Sequence, residues 1–244
     1  MENGEFTERF NALIKPTQPM DQFVIDIHNI TNEMVADAPP ISEVIGEFHE
    51  FIQDGTLVAH HAPFDMGFLA YEFEKVGLGL PKKPVVCSSL YSRFNLSGVE
   101  NFRLQTLVKH FNIDGGQAHR ATDDAEACLK VLLMQLESHK NSEELTVPEI
   151  MKLQGRKLSW FEYSIEHLRQ FETTAAIVEA LEMQLPLAII YKGGSRPGQM
   201  RTILAEGIVR NPNGDYLVAK DFGDEEGQSK RFYLSRIKEA SVNT

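Results

Sequence analysis

Cysteine is scarce in this sequence, and long apolar runs are missing. Only Cys87 and Cys128 occur among 244 residues, which excludes a disulfide framework and a thiolate metal site. No run approaches the roughly 18 apolar residues that a membrane-spanning helix needs. The N-terminus also lacks the basic and apolar pattern of a secretory signal. We therefore expect a cytoplasmic protein with no membrane partner.

Basic residues are fewer than acidic residues. The chain has 24 Lys and Arg against 35 Asp and Glu, giving a formal net charge of -11. Such a charge ordinarily argues against a nucleic-acid partner, because an acidic surface repels phosphates. Bound cations, however, can neutralise both the carboxylates of a site and the phosphates of a substrate. The charge alone therefore leaves a nucleic-acid function open.

Strands alternate with helices in the first part of the chain. Residues 56–60 and 85–87 are short apolar runs and are predicted as buried strands. Residues 64–75, 104–111 and 123–136 have apolar side chains at helical spacing. This alternation predicts an open α/β sheet that is covered on both faces by helices.

The start of the chain predicts an incomplete hairpin. Residues 5–14 are predicted as a strand, and Asn3-Gly4 just before them is the strongest short signal for a hairpin turn. Only Met1 and Glu2 precede that turn, so the other arm of the hairpin is absent. We expect from this that Met1 is not the natural start and that the first domain is truncated at its N-terminus.

The composition and the apolar pattern of the sequence change after residue 140. Polar residues lead into a segment with helical spacing, and after Pro186 short apolar runs alternate with turns rich in Gly, Pro and Asn. We predict three parts: an α/β domain over residues 1–140, a linker with connecting helices over 141–180, and a small β domain over 181–244.

Three polar side chains stand out in the first part. Asp65 follows the predicted strand at 56–60, on the side of an α/β sheet where ligands bind. Asp124 lies in the first turn of a predicted helix, and His119 precedes it in a loop. Carboxylates suit hard divalent cations, and an imidazole suits proton abstraction from water near neutral pH. Each residue alone is also compatible with a helix cap or a surface position.

Three motifs at characteristic spacing give these residues a family context. They are ITNEMVADAP at residues 30–39, VAHHAPFD at 58–65 and HRATDDA at 119–125. The sequence resembles the DEDDh exonucleases, the family of the proofreading epsilon subunit of bacterial DNA polymerase III. The resemblance implies a ribonuclease H-like fold that hydrolyses DNA, or RNA, from its 3′ end. It implies two Mg²⁺ or Mn²⁺ ions held by Asp65 and Asp124, His119 as general base, and a polymerase or repair partner.

Two departures from the family pattern bear on activity. His61 stands where the family usually has Asn, which implies a different contact to substrate near Asp65. The family's first motif, an Asp-x-Glu on the first strand, has no counterpart in this sequence. Loss of those two acids lowers the affinity of a carboxylate site for cations. We therefore expect a ribonuclease H-like exonuclease fold that lacks its first strands.

Residues 181–240 contain short strand motifs that carry Tyr191, Arg201, Arg231 and Arg236. This segment resembles the WYL domains, which are small SH3-like β domains that bind nucleic acid or nucleotides. The resemblance implies that these four residues bind nucleic acid. Interleaved aromatic and basic side chains suit base stacking together with phosphate contacts. The alternative is an ordinary β barrel with solvated basic residues. Phe64, beside Asp65, is predicted as core or as a base-stacking residue.

Three hypotheses of function follow. The first is a metal-dependent 3′–5′ exonuclease fused to a β domain that binds nucleic acid. In this hypothesis His61 and Phe64 contact the substrate. The second is a catalytically dead, nuclease-like module that binds nucleic acid or a nucleotide and regulates a partner. The third is an unstable truncation product without a function of its own.

Overall fold

A computed structural model describes residues 7–52, 55–116, 120–139, 145–211, 213–224 and 227–242. The helices are α1 (Gln22–His28), α2 (Ile41–Ile52), α3 (Pro63–Lys75), α4 (Ser88–Asn95), α5 (Leu104–His110), α6 (Ala121–Glu137), α7 (Val147–Leu153), α8 (Ile165–Arg169) and α9 (Glu172–Met183). The strands are β1 (Val58–Ala59), β2 (Val86–Cys87), β3 (Pro186–Tyr191), β4 (Met200–Val209), β5 (Tyr216–Asp221), β6 (Lys230–Tyr233) and β7 (Ile237–Val242). The described residues also form two short 3-10 helices, Trp160–Tyr163 and Leu234–Arg236. Across these described ranges, no helix is both long and apolar enough to cross a bilayer.

The chain forms two compact units. The first unit contains Met1–Ala62 and Lys75–Leu158, and the second contains Pro63–Glu74 and Ser159–Thr244. Most of α3 therefore belongs with the second unit, although it follows β1 directly in sequence. The three domains expected from the sequence stay a prediction.

A short parallel pair of strands forms the sheet of the first unit. Val58 pairs with Val86 and Ala59 with Cys87. Val86 lies in one apolar cluster with Tyr91 of α4, Leu132 of α6 and Ile150 of α7. The alternation of strands and helices is confirmed here. The predicted strand at residues 5–14 was wrong for its described part, since residues 7–14 form neither helix nor strand.

Helices α5 and α6 make a second apolar cluster in the first unit. Leu107 and Val108 of α5 contact Ala127 and Val131 of α6, and all four are buried. These residues follow the helical spacing that the sequence predicted for this region. The packing places the first turn of α6, with Asp124, beside α5.

A five-stranded antiparallel sheet forms the second unit. The strands are ordered β6-β5-β4-β3-β7, and α9 packs its buried Ile177 and Ala180 into the core of the sheet. Alternation of side chains predicted β3, β4, β5 and β6, whereas β7 was missed because its exposed Lys and Glu mask the apolar face. The SH3-like classification stays a prediction.

Candidate functional site

His60 follows β1 and is held on both ring nitrogens. Its Nε2 lies 2.9 Å from the carbonyl oxygen of Phe102, which can only accept, so Nε2 carries the proton. Its Nδ1 then accepts from the Ser88 hydroxyl at 2.8 Å. Burial, together with the charges of His61 and Arg93, lowers the pKa of His60 to about 4. His60 is therefore a neutral, structural imidazole at neutral pH.

His61 lies beside His60 in an unusual backbone conformation. Its φ is 61°, in the left-handed region that few non-glycine residues adopt. The His61 Nδ1 is 3.0 Å from the Ser89 hydroxyl, and the two histidine rings are 4.8 Å apart. Burial and the charge of Arg93 lower the pKa of His61 as well. Strained residues held by specific contacts cluster at functional sites, so this turn is a candidate site.

Asp65 lies in the first turn of α3, within the second unit. Partial burial desolvates its carboxyl and raises the pKa to about 6. The opposing influence is a hydrogen bond from its own backbone amide, and no cation of the described chain contributes. Desolvation raises the pKa of a carboxyl when no nearby positive charge compensates for it. A divalent cation is one group that could supply this charge.

Asp124 lies in the first turn of α6, within the first unit. Its Oδ1 accepts a long hydrogen bond of 3.4 Å from the Gln105 side chain on α5. The packing of Leu107 against Ala127 fixes the two helices, and this packing sets the position of the carboxylate. Asp124 and Asp65 thus belong to different compact units.

His119, the expected general base, lies outside the described residues. Within the described part of the chain, no three His, Cys, Asp or Glu side chains form a group that could hold a metal ion. Carboxylate oxygens of the right chemical kind are present at Asp65 and Asp124. The donors described are fewer than a complete metal site uses.

Aromatic and arginine side chains alternate on the sheet of the second unit. Tyr216 of β5 pairs with Tyr233 of β6, and their rings lie 6.0 Å apart. Arg231 lies over the Tyr216 ring at 5.3 Å, and Arg236 lies over the Tyr233 ring at 5.5 Å. We call these four residues the arginine–tyrosine row. Sequence reasoning found both arginines but missed both tyrosines, although Arg231 and Tyr233 share one face of β6 by alternation.

The other two residues expected at this surface lie differently. Tyr191 is only 5% exposed, and its ring packs edge-on against Phe232 at 5.2 Å, so it offers no face to a ligand. The Arg201 guanidinium lies over the Phe232 ring at 5.8 Å and donates to the Arg196 carbonyl at 2.6 Å. The burial of Tyr191 follows from its position on β3, the strand between β4 and β7.

Family comparison assigns the first part of the chain. The model of the RNase_T exonuclease family matches residues 1–132, more than half of the sequence. The chain belongs to the RNase_T exonuclease family. Membership supports assignment to the 3′–5′ exonucleases, which are hydrolases, and exonucleases of this family use divalent metal ions. The ribonuclease H-like core and the resemblance to the polymerase III epsilon subunit are thereby supported.

Curated relatives of this RNase_T chain include bacterial proteins named DNA polymerase III PolC-type. The protein from Halalkalibacterium halodurans is 43% identical over 127 residues, covering 52% of this chain and 9% of its own length. The protein from Bacillus cereus is 39% identical over 136 residues, covering 56% of this chain and 10% of its own length. The chain therefore spans about a tenth of these relatives.

Two solved exonuclease structures are similar to part of the chain. Exonuclease X, in complex with 5′ overhanging duplex DNA, is 24% identical with a TM-score of 0.40, covering 59% of this RNase_T chain and 79% of its own. A 3′-exonuclease that recognises the histone mRNA stem-loop is 17% identical with a TM-score of 0.46, covering 55% of this chain and 52% of its own.

Proposed function

We propose that this chain is a metal-dependent 3′–5′ exonuclease acting on DNA or RNA, with Asp65 and Asp124 as metal ligands and His119 as general base. The observation that carries the proposal is the family match over residues 1–132, which includes all three of these positions. That Asp65, Asp124 and His119 act at one site is inferred from the order of their motifs along the chain. The three-part domain division and the WYL-like assignment of residues 181–244 belong to the same proposal.

The metal ions are Mg²⁺ or Mn²⁺ in this proposal. Asp65 supports it, because its carboxyl has a pKa of about 6 and no compensating cation from the described chain. When bound, the ions would neutralise substrate phosphates and acidify water. Asp65 and Asp124 would hold them, and His119 would take the proton of the attacking water.

Substrate contacts are proposed from the aromatic and histidine side chains. Phe64 is 46% exposed and lies 5.2 Å from the Phe68 ring, also exposed, so both could stack on bases. His61 would contact the strand beside Asp65. The arginine–tyrosine row would bind the nucleic acid in the second unit, since arginine and tyrosine faces suit phosphates and bases. We leave Tyr191 out of this surface because it is buried.

The cellular context is also a proposal. PolC-type relatives carry their matching segment within much longer polymerases. A polymerase or repair partner is therefore proposed for this chain. We propose the cytoplasm as its location because the sequence has only two cysteines.

The test is hydrolysis of 3′-labelled single-stranded DNA by the purified full chain with Mn²⁺. We expect label to be released by the unmodified chain. Asp65→Asn and Asp124→Asn should abolish release, and His119→Ala should lower the rate by about 10²–10⁴. Asp123→Asn is the matched control, because Asp123 is the neighbouring carboxylate in the same helical turn and should leave the rate within about threefold.

The outcomes separate the two leading hypotheses. Release that survives Asp65→Asn and Asp124→Asn contradicts the assigned ligands. Binding of the DNA without any release by the unmodified chain supports the catalytically dead module.

A further inference from the structure

A basic cavity of about 800 Å³ lies in the first unit. Its charged lining side chains are all cationic: Lys83 before β2, Lys152 on α7, and Arg156 and Lys157 after α7. Its apolar floor consists of Pro84, Val147, Pro148 and Met151. No acidic residue lines it in the described part of the chain. In a protein with a net charge of -11, four cations that line one cavity need an explanation.

Buried hydrogen bonds hold the cationic loop in place. Gln154 is fully buried, accepts from the Cys87 amide at 2.9 Å and donates to the Arg156 carbonyl at 2.6 Å. The Leu158 carbonyl accepts from the Val85 amide at 3.2 Å. The backbone is therefore fixed to β2 on both sides of Lys157. Positioning basic side chains in advance reduces the entropy cost of binding a ligand.

The cavity lies away from the candidate site turn in the first unit. Strands β1 and β2 run parallel. His60 and His61 follow the end of β1, whereas the cavity residues Thr56 and Pro84 precede β1 and β2. The cavity therefore opens at the opposite ends of the two strands, where the ligands of a parallel sheet do not ordinarily bind.

We infer that this cavity binds the phosphate backbone of single-stranded nucleic acid. Four cations on two chain segments exceed what one phosphate group engages, and they suit successive phosphates of a strand. The apolar floor can receive bases by packing, as single-strand binding grooves do. This inference rests on the proposed nucleic-acid substrate. It adds a second, non-catalytic contact that holds the strand away from the end being cleaved.

The test measures binding of a fluorescein-labelled oligothymidylate of about twelve nucleotides by anisotropy. The full chain is used with EDTA present, so that neither metal nor hydrolysis contributes. We expect the triple variant Lys152→Ala, Arg156→Ala and Lys157→Ala to bind about tenfold more weakly or worse. Each neutralised phosphate contributes about 0.7 to the salt slope of a single strand, so this slope should fall by about 2.

Two further variants separate this cavity from general electrostatics. The control triple Lys15→Ala, Lys75→Ala and Lys109→Ala removes equal charge from exposed positions outside the cavity and should leave affinity within about threefold. The charge-retaining triple Lys152→Arg, Arg156→Lys and Lys157→Arg should also bind normally. Should melting show the alanine triple unfolded, Lys83→Ala with Lys157→Ala gives the same test with a slope change of about 1.4.

Three results would overturn the inference. The first is an unchanged affinity for the oligonucleotide in the cavity variants. The second is an equal loss of affinity in the control triple. The third is a loss of affinity for thymidine monophosphate, measured as a separate ligand, in cavity variants that keep their affinity for the oligonucleotide. Failure of the proposed exonuclease function is distinguishable from these results. It would remove label release, whereas metal-free binding at the cavity would remain.

Discussion

At the scale of single residues, His60 shows how burial selects a protonation state. The neutral ring satisfies the Phe102 carbonyl with one nitrogen and the Ser88 hydroxyl with the other. A second proton on Nδ1 would compete with the Ser88 donor and would place a charge near Arg93. The hydrogen bonds of this turn therefore depend on a neutral imidazole.

This dependence predicts the effect of mild acid on stability. The pKa of His60 is about 4 in the folded chain and about 6.5 when unfolded, so the unfolded state binds more protons between these values. The free energy of unfolding should therefore fall as pH drops below about 6.5, by up to about 1.4 kcal/mol per pH unit from this group. Urea unfolding at several pH values measures this pH dependence, and the unmodified protein is compared with His60→Gln.

The comparison with His60→Gln isolates this residue. Asp65 acts in the opposite direction, because its raised pKa favours the folded state as pH falls through about 6. His61, with its lowered pKa, acts in the same direction as His60. Both groups are retained in the variant. Equal acid sensitivity in the two proteins would contradict the assigned neutrality of His60.

At the scale of elements, two helices contain an internal glycine for different reasons. Gly67 of α3 lies under the Arg210 side chain, where an added Cβ would be 2.4 Å from Cγ and 2.9 Å from Cβ of Arg210. Arg210 cannot move aside easily, since its guanidinium donates to Asp215 at 2.9 Å and to the Glu162 carbonyl at 2.7 Å. Gly46 of α2 has no atom within 4 Å of an added Cβ.

The two glycines predict opposite effects of alanine. Gly67→Ala should destabilise the protein by about 1–3 kcal/mol through overpacking against Arg210. Gly46→Ala should stabilise it by about 0.5–1 kcal/mol, because alanine loses less backbone entropy in a helix. Thermal unfolding of both variants measures the difference. Stabilisation by Gly67→Ala would show that α3 does not need the close approach.

At the scale of the whole molecule, the net charge of -11 gives the proposed cations a second role. Acidic side chains repel one another in the compact state, and binding of a cation lessens that repulsion. A ligand that binds only the folded state also stabilises it through linkage. Metal binding should therefore be measurable without any hydrolysis.

Metal ions are predicted to raise the melting temperature. At a Mn²⁺ concentration about 100 times the dissociation constant, the gain is about 2.7 kcal/mol, or roughly 5–10 °C for a chain of this size. Asp65→Asn and Asp124→Asn should each reduce this shift, whereas Asp123→Asn should retain it. EDTA should reverse it. An equal shift in Asp65→Asn would exclude this carboxylate as a ligand.

Local patterns accounted for the motif positions and most of the helices and strands. Apolar spacing located α3 and α6, and alternation located four strands of the second unit, because both signals lie within a few neighbouring residues. The family assignment also came from short runs around Asp65 and Asp124. The expected strand failed over its described residues 7–14 because an apolar pattern does not supply a pairing partner.

Packing between distant parts of the chain determined the features that the sequence did not predict. The burial of Tyr191, the pairing of Tyr216 with Tyr233 and the buried contacts of Gln154 each join positions far apart in the chain. The basic cavity likewise gathers side chains from three separate segments. A local pattern specifies which face of an element is apolar, but strand register and helix packing determine which distant side chain meets it.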